Sequence, residues 1–314
     1  MGLVRFIKNQ LRHDRNMKQA LGNQYEELLL TRMLLVEQMS RSLTEKTLNC
    51  SQMGITEDRL CDHEVVVSLT SFGKRIYDVP VVIESIMQGT VKPNKIVLWL
   101  AEEEFKGKPL PKALEMQKER GLQVEFCEDI RSYKKLIPSL KMFPEACIIT
   151  IDDDAIYEYD FLDRMIEAHC KHPQSVCGTR VHKIKLGADS RPLGYMSWDL
   201  YKAEVNKASK LHFATGVGGI LYPPHCLSPE VLNQKDFMDL APFADDIWFY
   251  AMSLMNDTQV VKVFSRKPNG DFVELPSAYE SALFAQNTNP ENCRNDVQFK
   301  AVFEKYDLYD KLKR

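Results

Sequence analysis

An apolar, β-branched run that ends in three consecutive carboxylates constrains this chain more than any other feature. Residues 146–154 read Ala-Cys-Ile-Ile-Thr-Ile-Asp-Asp-Asp. The run from Ile148 to Ile151 suits a central strand of a parallel sheet, buried on both faces. Side chains alternate along a strand, which would put Asp152 and Asp154 on one side and Asp153 on the other. Ligands of open α/β sheets bind beyond the carboxyl ends of the strands. Clustered acids at such a tip call for an opposite charge, and a hard divalent cation holding a phosphate is the natural one. The plain alternative is a solvated strand end whose acids cap the next helix.

Around this run the pattern is strand–helix alternation. Strands are expected at Val65–Leu69, Lys95–Leu100, Leu122–Phe126 and Cys147–Ile151, and helices at Pro80–Met87, Pro111–Arg120, Tyr133–Met142 and Tyr159–His169. That rhythm implies right-handed β-α-β units and a mostly parallel central sheet flanked by helices, an α/β fold. Beyond Ser175 the pattern loosens. Val176–Leu186 reads as one more strand, a helix opens near Phe243, and Asn295–Leu312 reads as a terminal amphipathic helix.

Residues 1–60 are different: they lack proline and are rich in helix formers. Leu21, Tyr25, Leu28, Leu35 and Met39 form a helical stripe that Leu29 and Met33 widen, while Arg5, Lys8, Arg12, Arg15 and Lys18 face only Asp14 in charge. The expected division is a helical extension over 1–60 and an α/β domain over 61–314, donor-binding in 61–155 and acceptor-binding in 156–314. The extension would pack on its own domain, join a second copy, or lie on an anionic membrane surface.

Composition removes several classes. A net charge of −3 gives no basic field for nucleic acid, and no segment has the roughly 20 uninterrupted apolar residues of a membrane span. The N-terminus lacks a signal peptide's apolar core, and Phe6 stands where a myristoylation signal needs Ser or Thr. Eight scattered cysteines without a Cys-x-x-Cys pair show no zinc spacing and read as free thiols of a reducing compartment. The expected location is the cytoplasm, including the inner face of its membrane.

Carboxylates at the fourth strand tip suit a metal–nucleotide diphosphate, with Mn²⁺ or Mg²⁺ neutralising the leaving group of a sugar donor. An acceptor hydroxyl then needs a general base. Asp246, with Asp245 as the alternate, follows Pro242 in the first turn of a helix, where the plain alternative is capping. Adjacent carboxylates raise one another's proton affinity, as a base near neutral pH requires. Arg75, Thr70 and Ser71 in the first loop, and Lys135 before the acidic tip, are candidate donor contacts, with Asp153. Asp129 would accept from a uracil ring or cap a helix. Gly218 and Gly219 would admit a sugar against the backbone or make a tight turn. Tyr195 and Trp198 would stack on the acceptor or belong to the core.

These residues resemble a known family. Val67–Phe72, Ile96–Leu100, Ile149–Asp154, Phe213–Gly219, Ala244–Trp248 and Asn295–Phe299 look like motifs of bacterial GT-A-fold glycosyltransferases. These are relatives of the family-2 group that builds capsule and lipopolysaccharide glycans. The likeness spans about residues 64–310. It implies a GT-A-like fold and an inverting, metal-dependent transfer from a nucleotide-diphosphate sugar, a UDP-sugar first among donors, to a glycan or lipid-linked saccharide. Asp152 and Asp154 would fill the Asp-x-Asp role, Asp246 would be the base, and Trp248 would join the acceptor side. Many such enzymes add a C-terminal histidine to the metal; no histidine follows His225 here, leaving His182, His212 or water. The rival classes are a haloacid-dehalogenase-type phosphatase, which wants its Asp-x-Asp on the first core strand, and a non-catalytic glycan binder.

Overall fold

The computed structural model describes residues 2–280, 287–288 and 293–313. The chain opens with one long helix, α1 (Gly2–Asn49), and reaches the first strand, β1 (Val65–Thr70), through an irregular segment. Then follow α2 (Val79–Met87), β2 (Lys95–Ala101), a short turn of helix α3 (Glu102–Phe105), α4 (Lys112–Lys118), β3 (Leu122–Cys127), α5 (Ile137–Met142) and β4 (Cys147–Thr150). β5 (Ala155–Tyr157), α6 (Phe161–Lys171), β6 (Val176–Gly178), β7 (Val181–Lys183), β8 (Ala208–Ser209), β9 (His212–Ala214) and β10 (Ile220–Tyr222) come next. The described chain ends with α7 (Gln234–Leu240), α8 (Asp245–Met255), β11 (Val260–Lys262), β12 (Phe272–Glu274) and a helix at Arg294–Lys305.

Eight strands form the central sheet in the order β3-β2-β1-β4-β10-β6-β11-β8. The first four are mutually parallel; β10 is antiparallel to both neighbours, and β6 and β11 are parallel again. The chain steps outward from β1 to β3 and returns on the other side at β4. The carboxyl ends of β1 and β4 therefore flank the switch point where open α/β sheets take ligands.

Alternate residues of β1 feed opposite faces. Val65, Val67 and Leu69 pack with Val82, Ile83 and Ile86 of α2, and Val66 packs with Val97 and Trp99. The core under the second half of the sheet is aromatic, built on Tyr133, Phe213, Trp248, Phe249 and Phe303.

Two expectations need correction, and one open alternative narrows. Val176–Leu186 is two short strands in different sheets, β6 in the central one and β7 in a two-stranded sheet with β9. The terminal helix stops at Lys305, with a 3₁₀ turn at Tyr309–Lys313, and Val297 is exposed instead of apolar-packed. In α1, the stripe from Leu21 to Met39 does not pack on the domain: Leu21, Tyr25, Leu28 and Met33 are each more than 60% exposed. Only Val36 and Thr47 of the described α1 side chains are buried, and the Thr47 hydroxyl donates to buried Glu84 at 3.0 Å. The basic side chains at 5, 8, 12, 15 and 18 lie outside the described residues. No helix among the described residues is long and apolar enough to cross a membrane.

Candidate functional site

Beyond Thr150 the chain leaves the sheet and turns, so Asp152, Asp153 and Asp154 do not alternate as strand residues would. The Arg75 Nη1 group lies 3.0 Å from both Asp153 Oδ1 and Asp154 Oδ2. Ser71 Oγ donates to Asp153 Oδ2 at 2.6 Å. Asp152 accepts from Lys135 Nζ at 3.1 Å, while its own N–H donates to the Tyr157 hydroxyl at 3.0 Å. A second, antiparallel pair of strands walls this turn: β12 lies against β5, and the Leu275 N–H donates to the Asp154 carbonyl at 2.8 Å.

Lys135 is buried at the end of a 3₁₀ turn, Arg131–Lys135, and its carbonyl accepts from Ser68 Oγ on β1 at 2.6 Å. Its ammonium, besides meeting Asp152, lies 3.1 Å from Asp245 Oδ2 at an angle too poor for a hydrogen bond. Asp246, beside it at the start of α8, accepts from the Gly216 N–H at 2.9 Å. The loop before α8 is held by the Tyr133 hydroxyl donating to the Ala241 carbonyl and by Arg131 donating to the Pro242 carbonyl. One lysine thus joins acids that are more than 90 residues apart in sequence.

The electrostatics follow from this crowding. Burial, and then the Asp152 charge, push the Asp154 carboxyl up to about 7. Burial, and then the Asp245 charge, push Asp246 up to about 7. Asp153 is also raised, by burial, against the pull of Ser71 and Arg75. Burial works against the Lys135 ammonium, but Asp152, Asp245 and Asp246 outweigh it and hold the lysine firmly protonated. Five carboxylates share two cations, Lys135 and Arg75. The excess negative charge, carried by hard oxygen donors at Asp152 and Asp154, fits a divalent ion such as Mn²⁺ or Mg²⁺.

Other sequence candidates go elsewhere. Trp248 is fully buried and its indole N–H donates to the Val231 carbonyl, so its ring offers no face to a sugar. Tyr195 and Trp198 are core residues packed on one another and on Phe213, with the Tyr195 hydroxyl 3.0 Å from His182 Nε2. Asp129 pairs with Lys134 and accepts from the Arg131 N–H, capping the 3₁₀ turn. Thr70 Oγ1 donates to the Trp99 carbonyl at 2.8 Å. Gly218 and Gly219 have φ of +94° and +91° and carry the turn into β10, with no room for a side chain: a Cβ at Gly219 would lie 2.5 Å from the Phe161 ring. His182 and His212 are both buried, His182 hydrogen-bonded with Tyr195 and the Tyr201 N–H and His212 with the Val260 carbonyl and Glu204. Ser277 went unnoticed in the sequence; its carbonyl accepts from Arg75 Nη2 at 3.3 Å. Only the pairing of β12 with β5 brings it there, and no local motif announces that pairing.

No family model and no curated protein matches the sequence. Among solved structures, the chain is similar to a mannosyltransferase from Pyrobaculum calidifontis in complex with GDP-Man and Mn²⁺, at 11% identity and TM-score 0.47, over 88% of this chain and 81% of that one. It is also similar to S. aureus TarS, at 14% identity and TM-score 0.43, over 72% of this chain but only 40% of that one. TarS 1–349 in complex with UDP aligns at 14% identity and TM-score 0.44, over 77% of this chain and 70% of that one. These likenesses are loose, and the residues of the site carry the functional reading.

Proposed function

We propose that the chain is a metal-dependent glycosyltransferase of GT-A type, moving a sugar from a nucleotide-diphosphate donor to an acceptor hydroxyl with inversion. The single observation that carries this reading is the Lys135 bridge, which links Asp152 of the strand tip to Asp245 of the Asp245–Asp246 pair. The motif resemblance supports it and extends it to surface polysaccharide synthesis on a glycan or lipid-linked acceptor.

Asp152 and Asp154 would hold the divalent ion. When bound, that ion would offset the diphosphate charge and make it a better leaving group. Arg75 and Ser71 fix Asp153 and orient the acidic turn, as substrate positioning requires. Asp246 takes the acceptor proton: the Gly216 N–H holds Oδ1, and a carboxyl near pH 7 is matched to accepting a proton at neutral pH. Lys135 meets Asp152 and Asp245, each at 3.1 Å, without pairing directly with Asp246. The uncovered stripe of α1 supports contact with a second copy or with a membrane surface.

A thermal-shift screen of nucleotide sugars with and without Mn²⁺, followed by turnover of any stabilising donor, tests the reading. A donor that stabilises only with metal, and whose turnover is lost in Asp246→Asn while binding persists, is the expected result. Stabilisation indifferent to metal, or full turnover in the variant, would overturn it.

A further inference from the structure

The sequence spacing of the cysteines shows no metal signature, yet the fold brings three soft ligands together at the opposite end of β4 from the acids. Cys61 comes from the segment after α1, Cys147 from the first residue of β4 and His169 from α6. Their ligand atoms all lie within 4.8 Å of one another, and Cys147 Sγ is 3.3 Å from His169 Nε2. We propose that Cys61, Cys147 and His169 form a zinc site, with water in the fourth position, that staples the segment following α1 to the central sheet.

The geometry is close to what zinc needs. With Zn–S of about 2.3 Å and Zn–N of about 2.0 Å, the edges of a tetrahedron are roughly 3.5–3.8 Å, inside the observed limit. The donor set of two thiols and an imidazole suits zinc and not the magnesium or calcium that oxygen ligands select. Cys147 and His169 are buried, at 0% and 3% exposure, so only Cys61 would have to settle onto the ion. Among the described residues no carboxylate pairs with the His169 ring, and its Nδ1 makes no hydrogen bond. Cys61 now shares its thiol proton with the His63 carbonyl at 3.1 Å. Zinc binding would release that proton and the one on Cys147, leaving two thiolates on the ion. A solvent-filled groove of about 600 Å³ lined by Cys61, Asp62, His63 and Lys95 gives the ion a route in.

The acids cannot stand in for this site. Asp152 follows Cys147 by five residues of near-extended chain, a separation of about 16 Å at the usual strand rise. The two sites differ in ligand chemistry as well as in place.

Cobalt(II) is the probe, because thiolate ligands give it an intense charge-transfer absorption that carboxylates do not. The reduced full-length protein, titrated without oxygen, is expected to develop this absorption at about one equivalent and to lose it when zinc is added. Asp154→Asn should leave it unchanged. Cys61→Ser, a change at a partly exposed position, should weaken cobalt affinity about tenfold or more while leaving the far-ultraviolet dichroism of the fold intact. No thiolate absorption in the folded wild-type chain, or an absorption that Cys61→Ser does not alter, would overturn the proposal. The wild-type titration decides the matter even if the variant fails to fold.

Discussion

The Gly216 N–H donates to Asp246 Oδ1 at 2.9 Å, tying the glycine turn before β10 to the first residues of α8. A Cβ on Gly216 would fall 2.6 Å from Lys135 Nζ and 3.1 Å from Asp246 Oδ1, so a side chain there would have to displace the lysine ammonium. The bond fixes one oxygen and orients the other. Burial and Asp245 hold the carboxyl at about 7, which places its ionisation in the working range. Turnover under the proposed function should therefore rise with pH through about 7 as Asp246 loses its proton. Asp246→Asn should reduce kcat by about 10²- to 10⁴-fold, the span of a positioned base. Steady-state kinetics from pH 5.5 to 8.5 read both effects, and a flat profile in the wild type would remove Asp246 from the role.

Asp154 makes a prediction about stability instead of rate. Its carboxyl is raised from the ordinary 3.8 to about 7, so the folded chain keeps a proton that the unfolded chain gives up. Where the folded state binds more protons, stability falls as pH rises. The penalty is absent below about 4, grows between about 4 and 7, and is constant above. In metal-free protein, Asp154→Asn should thus gain stability relative to wild type on going from pH 5 to pH 8, measured by urea midpoints. Mn²⁺ at pH 8 should recover stability for the wild type and leave the variant unchanged. Equal midpoint differences at both pH values would contradict the burial-driven shift.

The turn into β10 offers a backbone test. Gly219 combines a φ of +91° with a Phe161 ring only 2.5 Å from where an alanine methyl would stand. Gly219→Ala should cost about 1–3 kcal/mol from the left-handed backbone alone, plus whatever Phe161 must yield. Gly22, in exposed α1, has nothing within 4 Å of its Cβ position. Gly22→Ala should stabilise, by about 0.5–1 kcal/mol where the helix contributes to the measured transition. The same substitution with opposite signs, followed by chemical denaturation, separates local strain from composition.

The parallel half of the sheet is legible in the sequence because its signals are local. Val65–Thr70, Lys95–Ala101 and Cys147–Thr150 are apolar runs bounded by turns or helices, and Pro80 sits in the first turn of α2 as its fixed φ allows. The acids of the site are legible for the same reason, since a strand tip and a helix start each carry their own mark. What joins them is not. Lys135 looks like any loop lysine until the Ser68 hydroxyl anchors its carbonyl and turns its ammonium between Asp152 and Asp245. Trp198 stays open in the sequence because an aromatic residue looks alike whether it faces a sugar or a core; the fold buries both it and Trp248. The short strands β5 and β12 are three residues each and pair across more than 110 positions, which no periodicity can reveal.

A buried ion pair between α2 and the end of α4 receives the end of α1. Arg120 Nη1 and Nη2 meet Glu84 Oε2 and Oε1 at 2.8 and 3.1 Å, with the two side chains 5% and 0% exposed. Burial pushes the Glu84 carboxyl up, and hydrogen bonds from Arg120, Gln88 and Gln117 more than reverse it, leaving it below its ordinary value. Thr47 of α1 adds its hydroxyl to the same carboxylate. Removing one partner strands the other as an uncompensated buried charge, a loss of about 3–5 kcal/mol. Arg120→Met should show that loss in urea midpoints, whereas Arg120→Met combined with Glu84→Leu should recover much of it. The sign for acid is also fixed: a lowered carboxyl contributes stability above its unfolded value and loses it as pH falls through the folded one. Wild type should accordingly lose more stability than the double variant on acidification below about pH 4.5, and parallel acid curves for the two would show that Glu84 is not held as its contacts imply.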